Sequence, residues 1–305
     1  VPACSEMSPE TIDDEKLSIL VDAGIDRASI GIQSFFENET KALRRPQTPE
    51  VARGALEMIR RHDFETLNVD LIYGIRGQTD ETWRASLDAA LEYAPEEIYL
   101  YPLYVRPLTG LGNSKREMWE DQRPKFYEQG REVLLTAGYE QVSMRMFRRP
   151  SDRDDQAPVY RCTSDGMVGL GVGARSYTRS VHYCTEYAVG RPSVLGILED
   201  YVDREASSFH YADFGFELDI AEQQRRFFIL SLLSAEGFDE TFFQKRFGEP
   251  SQFAEFRAAL DERGLADECD GVYRLTSDGM ARSDVLGPWL YSADVQRKIA
   301  EYELR

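Results

Sequence analysis

Three segments of this sequence end an apolar run on a polar side chain: Arg27-Ala-Ser-Ile-Gly-Ile-Gln-Ser-Phe35, Asn68-Val-Asp-Leu-Ile-Tyr-Gly74 and Gly169-Leu-Gly-Val-Gly-Ala-Arg-Ser-Tyr177. Each reads as a buried strand, and Gln33, Asp70 and Arg175 stand at such strand ends. In α/β barrels the working residues occupy the carboxyl ends of strands, so the pattern is that of a cofactor site. Asp70 is the most telling of the three. It interrupts the apolar run Val69 to Tyr73 in a strand expected to be buried on both faces, where a carboxylate needs a partner. Gly74 and Gly77 fall in the turn leaving that strand, where a missing side chain lets a flat ring approach the backbone. Gly169, Gly171 and Gly173 would either line a cofactor or permit tight strand packing, and the residues alone do not choose.

Strand and helix signals alternate through the first hundred residues, the mark of a parallel sheet of βα units. A helix opening near Ser8 and Pro9 carries Leu17, Leu20 and Val21 on one face and closes at Gly24. Strand 28–32 follows. Thr48 caps a second helix, with Pro49 at its first position and Val51, Ala55 and Ile59 turned inward. The strand 67–73 comes next. Thr79 caps a third helix striped by Trp83, Leu87, Ala90 and Leu91, leading to strand 97–105. Before Glu6 stands what reads as the tail of an earlier strand. Three strands cannot close a barrel, and unless three more precede them the strand 28–32 would expose unpaired backbone groups and an apolar face, so the sequence is expected to be a fragment.

Beyond these units, residues 115–137 read as a long amphipathic helix and 148–158 as a loop. From Asp219 three helices alternate with short turns, and Gly271 to Thr276 reads as a strand. The expected organisation is a barrel portion with its extension over residues 1–213 and a small helical, winged-helix-like domain over 214–305.

The 305 residues carry 54 acidic against 36 basic side chains, a net charge of −18. That balance argues against a nucleic-acid or anionic-membrane surface. No apolar run reaches the length of a membrane span and no signal peptide opens the chain, so a cytoplasmic protein is expected. Cys4, Cys162, Cys184 and Cys269 are scattered and show none of the close spacings of zinc or iron–sulfur sites. No metal ligand is assigned, His182 included.

Together with Tyr99-Leu-Tyr-Pro-Leu-Tyr-Val-Arg-Pro-Leu-Thr-Gly110 and Arg226-Phe-Phe-Ile-Leu-Ser-Leu-Leu233, the three opening segments resemble the oxygen-independent coproporphyrinogen III oxidase family of radical S-adenosylmethionine proteins, along nearly the whole chain. The resemblance implies an α/β fold, the C-terminal part of a (β/α)6 partial barrel, followed by the helical domain. It implies S-adenosylmethionine and a [4Fe-4S] cluster as cofactors. The C-x-x-x-C-x-x-C loop that holds the cluster in the family is absent from this sequence, so its ligands are expected upstream. Glu6 would contact the amino group of the cofactor and Arg45, with Arg44 as a substitute, its carboxylate. Gln33 and Asp70 would hold the ribose or adjacent polar groups, with Gly74 and Gly171 close to the cofactor.

The implied reaction is generation of a 5′-deoxyadenosyl radical for hydrogen abstraction, as in coproporphyrinogen dehydrogenation. The implied partner is a small-molecule substrate of the tetrapyrrole class, with Arg106, Arg145, Arg148, Arg149 and Arg175 available for its carboxylates. Two departures stand on the substrate side: the segment 138–147 leaves the family's continuation after its start, and Arg175 occupies a position where relatives commonly carry His. A haem chaperone or haem-binding protein, a methyltransferase and a non-catalytic remnant are the alternatives.

Overall fold

A computed structural model describes residues 2–45, 47–105, 121–150, 161–186, 188 and 190–302. They fall into two compact units, one containing the described residues up to Tyr104 with 121–150, the other containing 161–302.

The first unit is built on a six-stranded sheet. Its elements are β1 (Cys4–Met7), α1 (Asp14–Asp22), β2 (Arg27–Gln33), α2 (Glu37–Ala42), α3 (Pro49–Arg60), β3 (Thr66–Tyr73), α4 (Asp80–Leu91), β4 (Glu97–Pro102), α5 (Arg123–Thr136), β5 (Glu140–Gln141) and β6 (Met146–Arg148). The strand order is β1-β2-β3-β4-β6-β5. The first four strands are parallel and β6 runs antiparallel to β4. The strand tail expected before Glu6 is β1, which pairs with β2 from Cys4↔Arg27 to Met7↔Ile30.

Side chains alternate between the faces of a strand, and the register sorts them by polarity. Met7, Ile30, Val69, Ile98 and Phe147 lie in one row. Four of the five are fully buried. The helices pack on this face: the Trp83 indole of α4 donates to the Phe126 carbonyl of α5 at 2.8 Å, and a Cβ at Gly130 would approach Leu100 and Trp83 to about 3 Å. The neighbouring row is polar, aligning Glu6, Ser29, Asn68, Glu97 and Arg148.

Thr48 and Thr79 cap α3 and α4 as their types require, Thr79 within a reciprocal capping box with Thr82. Three helices differ from the sequence reading. The first begins at Asp14, not near Ser8, since Asp13 accepts the Lys16 N–H at 2.8 Å, and of its apolar residues only Leu17 is fully buried. In α3, Val51 is 39% exposed, and Ala52 and Leu56 join Ala55 and Ile59 in the core. The long helix begins at Arg123, with Pro124 in its first turn; residues 115–120 lie outside the described residues, as do 151–158 of the expected loop.

The second unit comprises β7 (Ser176–Tyr177), β8 (Val181–Tyr183), α6 (Arg191–Val202), β9 (Gly215–Glu217), α7 (Ile220–Leu232), β10 (Phe238–Asp239), α8 (Glu240–Phe247), α9 (Ala254–Glu262), β11 (Ala266–Cys269), β12 (Val272–Leu275), α10 (Ser277–Met280), α11 (Ser283–Trp289) and α12 (Ala293–Glu301). The run α7-β10-α8-α9-β11-β12, with β12 between β10 and β11, has the winged-helix order. Its core is a nest of rings, with Phe228 stacked on Phe253 at 4.3 Å and against Phe238 at 4.9 Å. The expected boundary at 213/214 runs through a second sheet, because β8 pairs with β9 from Val181↔Glu217 to Tyr183↔Gly215. Strand pairing thus joins residues 176–183 to the helical unit. No described helix is long and apolar enough to cross a membrane.

Candidate functional site

Where β1, β2 and β3 end, the sheet opens into a cleft of about 370 Å³ lined by Glu6, Met7, Ser8, Thr11, Gly31, Gln33, Arg45 and Asp70. Small-molecule sites span roughly 300–1,000 Å³. Four residues singled out from the sequence, Glu6, Gln33, Arg45 and Asp70, are brought together here from four different elements.

Each is delivered by a specific local device. The β2–β3 register slips between Gly31 and Gln33, and Gln33 takes φ +67°, a left-handed conformation that non-glycine residues rarely adopt. Its amide folds back over Gly31, where an added Cβ would collide with Gln33 Nε2. Arg45 is placed by the end of α2. Arg44 takes φ +58°; its N–H donates to Lys41 O at 2.9 Å and that of Arg45 to Thr40 O at 3.0 Å. This is a Schellman closure. It turns the chain so that Arg45 is half-buried in the cleft while Arg44 is exposed.

Asp70 is held from below. Asn68, on the same face of β3, donates through Nδ2 to Asp70 Oδ1 at 2.7 Å and to Ser29 Oγ at 2.9 Å. Burial pushes the Asp70 carboxyl up to about 6, the Asn68 hydrogen bond opposing and Glu6 adding to the rise. Asn68 Oδ1 is buried with no hydrogen-bond partner among the described residues, which leaves an acceptor behind Asp70. Further along the polar face, Glu97 is clamped by Arg27 at 2.8 Å and Arg148 at 3.0 Å. Tyr99 and Tyr101 stack at 5.9 Å. The Arg145 guanidinium lies over the rings of Tyr101 and Tyr104.

A buried carboxylate that the sequence did not signal ties the neighbouring loops together. Glu39, fully buried in α2, accepts from Ser34 Oγ at 2.6 Å and from Gln78 Nε2 at 3.1 Å. Gln78 in turn accepts the Gly74 N–H at 2.8 Å. The turn after β2 and the turn after β3 therefore share one hydrogen-bonded link.

The other expected residues are not among those that line this cleft. Gly74, at φ +80°, lines a separate cleft of about 420 Å³ with Gly77, Gln78, Arg123 and Phe126. Gly171, at φ +105°, belongs to the second unit, as does Arg175. Arg148 is committed to Glu97 and Arg149 to Glu96; Arg106 lies outside the described residues. Asn68 was legible in principle, because a polar residue two positions before Asp70 shares its face.

The donor set fits S-adenosylmethionine: carboxylates for an ammonium or ribose hydroxyls, a guanidinium fork for a carboxylate, and a primary amide. It does not fit an iron–sulfur cluster. Among the described residues no group of three or more His, Cys, Asp or Glu is placed to hold a metal.

Comparison with known proteins agrees with this chemistry. Residues 2–90 match the model of the radical SAM superfamily. The oxygen-independent coproporphyrinogen III oxidase of Paracoccus denitrificans is 30% identical over 191 residues, covering 57% of this chain and 42% of that protein. Heme chaperone HemW of Bacillus subtilis is 26% identical over 297 residues, covering 93% of this chain and 75% of that protein. The chain thus spans less than half of the first relative and three quarters of the second. Among solved structures, coproporphyrinogen III oxidase (HemN) from Escherichia coli superposes with a TM-score of 0.71 at 20% identity, over 95% of this chain and 69% of that one, a likeness of fold. Residues 2–90 thus match the radical S-adenosylmethionine superfamily, and the chain is similar to oxygen-independent coproporphyrinogen III oxidase and heme chaperone HemW.

Proposed function

We propose that the cleft at the ends of β1, β2 and β3 binds S-adenosylmethionine and that the protein is an oxidoreductase resembling coproporphyrinogen dehydrogenase, working in the cytoplasm on a small-molecule substrate of the tetrapyrrole class. The observation that carries this reading is the convergence of Glu6, Gln33, Arg45 and Asp70 on one cleft. S-adenosylmethionine held there would, when reduced by a [4Fe-4S] cluster, supply a radical for hydrogen abstraction.

The protein's own residues orient that cofactor. Arg45 offers a planar fork to the methionine carboxylate, and Glu6 offers an acceptor to the ammonium. Asp70, kept partly desolvated, accepts from a ribose hydroxyl and is oriented by Asn68. Gln33 contributes donor and acceptor from one amide, fixed by the strained backbone it occupies.

The test is equilibrium binding of S-adenosylmethionine to the full-length protein carrying its cluster. Arg45→Ala should weaken binding by roughly ten- to a hundredfold, the worth of a charge-assisted pair at about 1.5–3 kcal/mol. Unchanged affinity in both Arg45→Ala and Asp70→Ala would sink the assignment.

A second reading is haem binding in the manner of a chaperone. It is favoured by the breadth of the match to HemW, which extends over 93% of the chain. Tight haem binding without substrate-dependent formation of 5′-deoxyadenosine would select it over the oxidoreductase.

A further inference from the structure

The second unit carries four guanidiniums that pair with no carboxylate among the described residues. Arg175 precedes β7, and Arg179 sits in the β7–β8 turn that Thr178 N–H closes onto Val181 O at 2.8 Å. Arg226 projects from α7 and Arg246 from the last turn of α8. None of the four forms an ion pair with a described carboxylate, although the chain carries 54 acidic residues. Elsewhere in the same unit arginines are paired, as Arg257 is with Glu268 at 2.6 Å and Arg204 with Asp213 at 3.0 Å.

Aromatic rings, not carboxylates, hold two of these arginines in place. Arg226 lies 4.8 Å from the centre of the Tyr177 ring, which meets His182 edge-on. Arg246 lies over Phe227 at 5.4 Å and Phe247 at 5.6 Å. A stacked guanidinium keeps its N–H edge available for a planar or tetrahedral oxyanion. Arg226 spends one N–H on Cys162 O at 3.2 Å.

The groups feel one another. Burial, then Arg179 and Arg226, hold Arg246 below its ordinary value. Burial, then Arg175 and Arg226, do the same for His182. Asp165, the one carboxylate acting on Arg246, already accepts from Arg161 N–H at 2.7 Å and from Ser164. Like charges clustered in an acidic protein cost free energy until an anion joins them.

We propose that Arg175, Arg179, Arg226 and Arg246 form a binding site for a small, multiply charged oxyanion, carried on phosphate or carboxylate groups. The site belongs to the second unit by itself and does not depend on the cofactor reading above.

The experiment is calorimetric titration of the full chain with inorganic pyrophosphate and, separately, with citrate, at constant ionic strength in chloride buffer. Saturable binding at one site is expected. Pyrophosphate alone would identify phosphate recognition, and citrate alone carboxylate recognition. Arg179→Ala, in an exposed turn, and Arg226→Lys, which keeps the charge but loses the fork, should each weaken binding about tenfold or more. Circular dichroism confirms that both remain folded. No saturable binding of either anion, or affinities in both variants within about twofold of the parent, would overturn the proposal.

Discussion

Asp70 carries opposite demands. Desolvation raises its carboxyl from 3.8 to about 6, so the stability linked to this group is fully present below the unfolded value and is lost as pH rises through about 6. At pH 8 the ionised side chain is a liability to the fold but an acceptor for a ligand. Asp70→Asn should therefore raise the thermal midpoint at pH 8 by an amount worth about 1–3 kcal/mol, and the gain should vanish near pH 4. The same substitution should weaken S-adenosylmethionine binding, and binding to the parent should strengthen as pH rises through 6. Thermal melts at the two pH values and binding isotherms across the range decide both points. Asp70 was legible in the sequence because a carboxylate broke an apolar run. Glu39 was not: nothing within its helix distinguishes a fully buried glutamate from the exposed Glu37 two residues earlier, since its partners Ser34 and Gln78 are brought to it only by the tertiary fold.

At the scale of elements, the short helix α2 does two jobs, and each yields an expectation. Its C-terminal closure puts Arg44 at φ +58°, a conformation costing an L-residue about 1 kcal/mol or more. Arg44→Gly should relieve this and stabilise the protein by about 0.5–1 kcal/mol, measured as a shift in the urea midpoint at constant m. The same helix carries Glu39 to the two loops. Glu39→Leu would leave Ser34 and Gln78 without their shared acceptor, and the expected loss is about 1–3 kcal/mol. Glu39→Gln preserves an acceptor and should recover most of it; equal destabilisation by both variants would show that the link through Oε2 does not matter. The caps at Thr48 and Thr79 and the parallel strands could be read from the sequence, because capping and periodicity are local. The tail of a strand before Glu6 could be read as well, but its register on β2, like the pairing of β8 with β9 across residue 213, could not, because strand neighbours are chosen by long-range register.

For the whole molecule, charge is the property that no single element reveals. A net charge of −18 on 305 residues is a self-repulsion that the folded chain holds at higher density than the unfolded one. The structure offsets part of it locally, with pairs such as Arg53–Glu92, Lys125–Asp80 and Arg297–Glu301. These pairs are exposed, and each is worth at most about 1 kcal/mol. Salt acts on both contributions in opposite directions. It weakens the short contacts slightly, and it screens the longer-range repulsion strongly, because the Debye length falls from roughly 30 Å at 0.01 M to about 8 Å at 0.15 M. With acidic residues exceeding basic ones by half, repulsion dominates. The thermal midpoint should therefore rise as sodium chloride is increased over that range at pH 8. A falling midpoint would mean that the paired arginines and lysines outweigh the excess of carboxylates. Pyrophosphate at matched ionic strength adds a further test, since a rise beyond that given by chloride is expected if the four unpaired arginines of the second unit bind it.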